Sequence, residues 1–243
     1  MRRRQTHQRD TSNGLSSNLI TILHPHNAAS EAYRRLRTSL FYSHMDDPPK
    51  AIVLTSPGLR EGKSTTCANL GVVLAQADKE TLLVDCDFRR PALHRMFGLR
   101  NAWGLGGVLQ DERSLREVCI EILPNLKIVT AGPLPPNPVE VLDSQPFATF
   151  LAEVREQFDY VLVDSPPVQA VSDPVVLAAQ ADGVLLILDA QAPRRTHLQQ
   201  EAVRSLEAVR SVVLGLVMNN VEGRPGWNGH GSDSYSYEEY TIR

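Results

Sequence analysis

The stretch S-P-G-L-R-E-G-K-S-T-T at residues 56–66 limits the fold more than any other part of this chain. It follows a short apolar run, A-I-V-L-T-S at 51–56, and leads into a periodic segment at 64–77 whose Leu70, Val73, Leu74 and Ala77 recur at helical spacing. A strand, a glycine-bearing loop, Gly-Lys-Ser and a helix in that order make a cradle for phosphates. Backbone N–H groups of the loop and of the first helical turn point at phosphate oxygens. Lys63 brings a positive charge to the β- and γ-phosphates, and the Ser64 hydroxyl suits Mg²⁺. Gly62 lets the backbone approach closely. The ligand expected here is a nucleoside triphosphate with Mg²⁺. The general pattern G-x-x-x-x-G-K-[ST] places its first glycine at position 57, where this chain has Pro57 followed by Gly58.

The rest of the chain alternates. Apolar runs at 81–85, 126–130, 160–163, 183–188 and 212–218 read as strands. Helical periodicity marks residues 30–42, with Ser30 as cap, and 147–158, with Phe147, Phe150, Leu151 and Val154 on one side. A further helix spans 198–209 behind the capping pair Thr196 and Gln199. Continuous apolar strands separated by helices predict an α/β fold: a mostly parallel sheet with helices on both faces. Ligands of such sheets bind at the carboxyl ends of the strands. With 243 residues, 42% of them hydrophobic, one large domain is expected. Residues 1–29 read as a mobile N-terminal segment, basic at Arg2–Arg4, and 30–221 as the folded unit. Residues 222–243, broken by Gly223, Pro225, Gly226, Gly229 and Gly231, read as a flexible tail bearing Tyr235, Tyr237 and Tyr240.

Two strands end in acids. L-L-V-D-C-D-F-R places Asp85 and Asp87 two residues apart, so both can face one site. V-L-V-D-S-P-P ends a second strand in Asp164. Oxygen ligands of this kind, with Ser64, suit Mg²⁺ beside a triphosphate. Asp189 also ends a strand and is read as a turn residue. The net charge of -3 gives no general attraction for nucleic acid. No apolar run approaches the roughly 20 residues that span a bilayer. Cys67, Cys86 and Cys119 are odd in number and lack metal-ligand spacing, which points to a reducing, cytoplasmic setting.

These blocks together resemble the bacterial tyrosine kinases of capsule and exopolysaccharide systems. The resemblance rests on E-G-K-S-T-T, L-L-V-D-C-D-F-R-R-P and V-L-V-D-S-P-P, with S-E-A-Y-R-R-L-R-T at 30–38, A-G-P-L-P-P-N-P at 131–138 and the tyrosine-bearing tail. It implies a P-loop NTPase of the deviant-Walker type that autophosphorylates tail tyrosines in trans. Carried over by position, Gly58, Arg60, Glu61, Gly62, Lys63, Ser64 and Thr65 form the nucleotide loop. Ser64, Asp87 and Asp164 hold Mg²⁺, Lys63 contacts phosphates, and Asp85 sits where the family's acceptor-orienting base lies. Asn219 is the residue expected near the adenine, and Tyr235, Tyr237 and Tyr240 are the phosphoacceptors. Glu31, Arg34 and Arg37 match an E-x-x-R-x-x-R motif used in subunit contacts, which implies a homo-oligomer. The resemblance also implies a separate transmembrane activator of the polysaccharide chain-length regulator type, a phosphotyrosine phosphatase, and a place at the inner face of the membrane through the activator. One departure stands out: Leu59-Arg60 replaces the family's Pro-Gly. The competing reading is an ATP-dependent switch of the partitioning or septum-placement kind. Such loops carry an early lysine, which Ser56-Pro57-Gly58 lacks.

Overall fold

The computed structural model describes residues 14–43, 48–192 and 196–221. In chain order the elements are α1 (Ile20–Leu23), α2 (Ala28–Ser43), β1 (Ala51–Thr55), α3 (Lys63–Ala75), β2 (Thr81–Asp85), α4 (Leu93–Met96), α5 (Leu105–Leu109) and α6 (Leu115–Val118). Then come β3 (Ile120–Leu123), β4 (Leu126–Val129), α7 (Pro138–Leu142), α8 (Gln145–Gln157), β5 (Tyr160–Asp164), α9 (Asp173–Gln180), β6 (Gly183–Asp189), α10 (Thr196–Glu207) and β7 (Val213–Asn219). The sheet order is β3-β4-β2-β5-β1-β6-β7. All neighbours pair in parallel except β3, which runs antiparallel to β4.

Strands β1, β2 and β5 are buried at every position, as their unbroken apolar runs require. Alternate side chains feed two cores. Ala51 and Val53 join the cluster that includes Phe147, Phe150 and Val154 of α8, whereas Ile52 and Leu54 join the one that includes Leu70, Val73 and Leu74 of α3. Helix α3 is buried almost throughout because it lies against the sheet on one side and α1 and α2 on the other. Gly71 permits its close approach to the sheet: a Cβ there would lie 2.5 Å from Leu83 Cδ2. The central strands β2, β5 and β1 lie side by side, so the loops after all three open at one end of the sheet.

The N-terminal segment differs from its expectation. Residues 14–27 pack on the core: Leu19 and Thr21 are fully buried. The anchor is Asn69 of α3, whose Oδ1 accepts from Thr21 N and Thr21 Oγ1. Its Nδ2 donates to Asn18 O and Thr65 O. A buried amide with all four groups engaged holds the segment as a backbone partner would. Ser30 is likewise no cap. It sits inside α2, buried, with Oγ donating to Ile20 O and His24 O, while Asn27 Oδ1 accepts from Ala29 N near the helix start. Thr196 is the first residue of α10.

Candidate active site

The phosphate loop leaves β1 at Ser56 and is braced from within before it reaches α3. Ser56 Oγ donates to Gly58 O at 2.6 Å, and Gly58 N donates to Glu61 Oε1 at 3.0 Å. Gly62 adopts φ 88°, a left-handed conformation that a glycine takes without steric cost. A Cβ at that position would fall 1.9 Å from Asn219 Nδ2. That amide donates to Glu61 O at 3.1 Å, so Asn219, the last residue of β7, clasps the loop from the edge of the sheet. Arg60 is also left-handed, at φ 64°, with its side chain exposed. The family's glycine at this position therefore has a steric reason, and arginine here carries strain of about 1–2 kcal/mol. Lys63, Ser64 and Thr65 form the first turn of a 13-residue helix, whose leading N–H groups have no intrahelical acceptor. Loop amides and helix start together can hold phosphate oxygens.

The two acidic strand ends meet beside this loop. Asp85 and Asp164 are register partners on β2 and β5, and both are fully buried. Asp87 is 2% exposed and lies with Oδ2 3.2 Å from Lys63 Nζ. Its Oδ1 accepts from Arg90 N at 2.9 Å. Asp85 Oδ2 accepts from Ala92 N and Leu93 N, each at 3.0 Å, and Oδ1 accepts from Asp87 N at 3.3 Å. In this conformation Asp85 therefore braces the turn into α4. Burial, reinforced by Asp164, pushes the Asp85 carboxyl up to about 8, despite those backbone bonds. Burial also raises Asp164, to about 6, against the pull of Lys63. Among the described residues neither oxygen of Asp164 has a hydrogen-bond partner. The Ser64 hydroxyl is near enough to lower its pKa without completing a bond of standard geometry.

A buried carboxylate without a partner, next to the loop serine and an ammonium already held by a second acid, fits a hard cation with oxygen ligands. Among the described residues no group of three or more His, Cys, Asp or Glu is arranged to hold a metal unaided. The donor set thus suits Mg²⁺, which takes one or two carboxylates and completes its shell with phosphates and water.

Other site residues fall elsewhere. Glu31 and Arg34 pair at 3.1 Å on α2, Arg34 Nη2 donates to Pro25 O, and Arg37 Nη1 donates to Val73 O of α3. The motif thus ties α2 to its own chain. Tyr235, Tyr237 and Tyr240 lie outside the described residues. Asp189 Oδ1 accepts from Gln191 N, as a turn residue does. A groove of about 440 Å³ lies between α10 and strands β6 and β7, lined by Leu186, Leu188, Val203 and Leu216; it does not include the loop. One pair was missed in the sequence: Arg89 grips the fully buried Asp173. Its only signal was S-D-P at 172–174, which reads as an ordinary helix start. No helix among the described residues is long and apolar enough to cross a membrane.

Comparison with known proteins agrees with this geometry. Residues 58–200 match the family model of the AAA domain. The chain is 37% identical over 208 residues to tyrosine-protein kinase YwqD of Bacillus subtilis, covering 84% of this chain and 86% of that one. The kinase domain of the Escherichia coli tyrosine kinase ETK superposes with a TM-score of 0.83 at 28% identity, over 96% of this chain and 89% of that one. The septum site-determining protein MinD of Pyrococcus horikoshii, complexed with Mg-ADP, gives 0.59 at 20% identity over 70% and 69%, a likeness of fold alone.

Proposed function

This chain belongs to the bacterial tyrosine-protein kinases, and from that membership we propose that it moves the γ-phosphoryl group of ATP to tyrosines in the C-terminal tail of a neighbouring copy. The observation that carries the reading is the unpartnered Asp164 beside Ser64 and the Lys63–Asp87 pair. Phosphoryl transfer asks a protein mainly for positioning and neutralisation of charge. Lys63 turns from Asp87 to the phosphates. Ser64, Asp87 and Asp164 hold Mg²⁺, directly or through water. When bound, the ion supplies positive charge at the phosphate oxygens. The backbone from Gly58 to Thr65 cradles the phosphates, and Asn219 holds the loop on the adenine side.

Asp85 orients the acceptor hydroxyl. A tyrosine hydroxyl has pKa about 10. Burial and the Asp164 charge raise Asp85 to about 8, so in the free chain it is mostly protonated at neutral pH. A cation at the neighbouring acids would favour the ionised form that can take the proton. In a loose transition state that proton leaves late.

From Val221 to Tyr235 is about 14 residues, or about 45–50 Å fully extended, enough to reach a second active site in a compact assembly. The test mixes a full-length Lys63→Met chain with an active chain truncated after Val221. Phosphotyrosine is expected on the Lys63→Met chain. Label that appears only when the active loop and the tail share one chain overturns transfer in trans.

The assembly, on this reading, is a homo-oligomer joined through Glu31, Arg34 and Arg37. Arg34→Glu is expected to shift the protein to a smaller species in light scattering, with a melting temperature within a few degrees of the parent. An unchanged mass at every concentration and nucleotide state leaves α2 with its intrachain role only. The chain works in the cytoplasm, docked at the inner membrane face by a separate transmembrane activator, and a phosphotyrosine phosphatase resets it.

A further inference from the structure

Three loops build the site, and the ties between them are unequal. The loop after β5 runs along the phosphate loop on backbone bonds, Val168 N to Ser56 O at 2.8 Å and Gln169 N to Pro57 O at 3.3 Å. Ser165 Oγ and Ser165 N both donate to Leu54 O as well. The loop after β2, which carries Asp87, joins the β5 side at its start through Cys86 N to Asp164 O at 2.9 Å. Further out it is tied by an ion pair. Arg89 Nε donates to Asp173 Oδ2 at 2.9 Å and Arg89 Nη2 to Asp173 Oδ1 at 3.0 Å.

We infer that Asp173 is a positioning residue for the metal-holding acids, acting through Arg89 to fix Asp87 relative to Asp164. The inference rests on the reading that Asp87 and Asp164 hold Mg²⁺. Two parallel bonds to a planar guanidinium set orientation as well as distance, which one point contact does not. The clamp spans the two acids: Arg89 lies two residues past Asp87, and Asp173 opens α9 at the far end of the loop that begins at Asp164. Asp173 is fully buried while the Arg89 side chain is 42% exposed. Because Asp173 is fully buried and both its oxygens are held by Arg89, loss of the guanidinium strands a buried carboxylate, and stability has to be read separately from metal binding.

The need for a clamp comes from Lys63. In the chain by itself Asp87 is held by the ammonium of Lys63 as well as by Arg90 N. When Lys63 turns to phosphates, Asp87 loses that hold at the moment its direction matters most. The Arg89–Asp173 pair does not involve Lys63, so it persists through the exchange. Groups that orient metal ligands from behind change metal affinity by about 10–100-fold when removed.

The test measures binding of a fluorescent ADP analogue as a function of Mg²⁺, with Asp87→Asn run alongside. Arg89→Gln leaves the buried Asp173 without its cation and is expected to lower the melting temperature. Binding is therefore measured well below the melt and beside the Arg89→Gln/Asp173→Asn variant, which strands no charge. Arg89→Gln is expected to raise the Mg²⁺ midpoint about tenfold, with metal-free ADP affinity changed less than twofold. Asp173→Asn should do the same, Arg89→Lys less, and the Arg89→Gln/Asp173→Asn double variant no more than either single change, because both remove one unit. A parent-like midpoint in Arg89→Gln, while Asp87→Asn moves it, overturns the inference and leaves the metal site standing. A parallel fall in metal-free affinity overturns it in favour of a purely structural pair. Parent-like midpoints in both Arg89→Gln and Asp87→Asn reject the metal site, and the inference with it.

Discussion

Replacing Lys63 with methionine is expected to abolish phosphoryl transfer, by at least about 10³-fold, because a fixed charge at the transferring phosphates is among the largest contributions available. Methionine keeps most of the volume and removes the charge. The same change has a cost in the free chain. Asp87 is nearly buried and loses the ammonium 3.2 Å from its Oδ2, keeping, among the described residues, the bond from Arg90 N. Removing one member of a buried pair destabilises by up to about 3–5 kcal/mol. Here the surviving backbone bond and the partly exposed lysine bring the expected loss to the lower end, about 1–2 kcal/mol. That is about 2–8 °C in melting temperature for a domain of this size. Thermal melting followed by circular dichroism, run beside a phosphotyrosine assay, reads both effects. Phosphotyrosine accumulating at the parental rate in the folded Lys63→Met protein would falsify the placing of Lys63 at the phosphates.

Asp164→Asn is expected to give opposite signs in the same two assays. Asp164 is fully buried and neither oxygen has a hydrogen-bond partner among the described residues, so the free chain carries the cost of a desolvated, unsatisfied carboxylate. Burial is the main source of that cost, and Lys63 offsets part of it. The neutral amide removes the charge at constant shape, and the free chain should become more stable by about 1–2 kcal/mol. Activity should fall by at least about 10²-fold, because the position no longer offers an anionic oxygen to Mg²⁺. Added Mg-ADP, which raises the parental melting temperature by mass action, should then raise it much less. A variant that is less stable than the parent in the absence of ligand, yet fully stabilised by Mg-ADP, would show that Asp164 serves packing and not the metal.

The parts of the site that lie along one strand or one turn were legible in the sequence. Phosphate loop, Asp85, Asp87 and Asp164 all stand directly after apolar runs, and a buried parallel strand can hardly be written in any other way. The strands at 81–85, 126–130 and 183–188 were recovered within a residue or so for the same reason. What failed was information held between distant positions. Residues 14–27 look polar and loose, and their anchor is an asparagine about 50 positions away, in the middle of a helix. Ser30 carries the chemistry of a cap and spends it on two carbonyls of α1 and its exit. Strand β3 is short, half-buried and interrupted by Glu121, so its pairing with β4 shows only in the turn at Asn125, φ 63°. Asp173 reads as a helix opener until Arg89 is seen in contact with it. The motif at Glu31, Arg34 and Arg37 was legible as a pattern, whereas its bonds to Pro25 and Val73 within the chain were not.

On the proposal that Asp87 holds Mg²⁺, the pairing of Lys63 with Asp87 is expected to set an order of arrival. A tethered ammonium is present beside its carboxylate at a local concentration that no free ion matches. Magnesium arriving alone would have to compete with that ammonium for Asp87 and, since Lys63 also favours the charged form of Asp164, for the second acid as well. Nucleotide arriving with its metal brings phosphates that take the lysine as the metal takes the acid, so the two exchanges run together. The ion is therefore expected to load with the nucleotide and to leave with it, and free magnesium alone should not titrate the site.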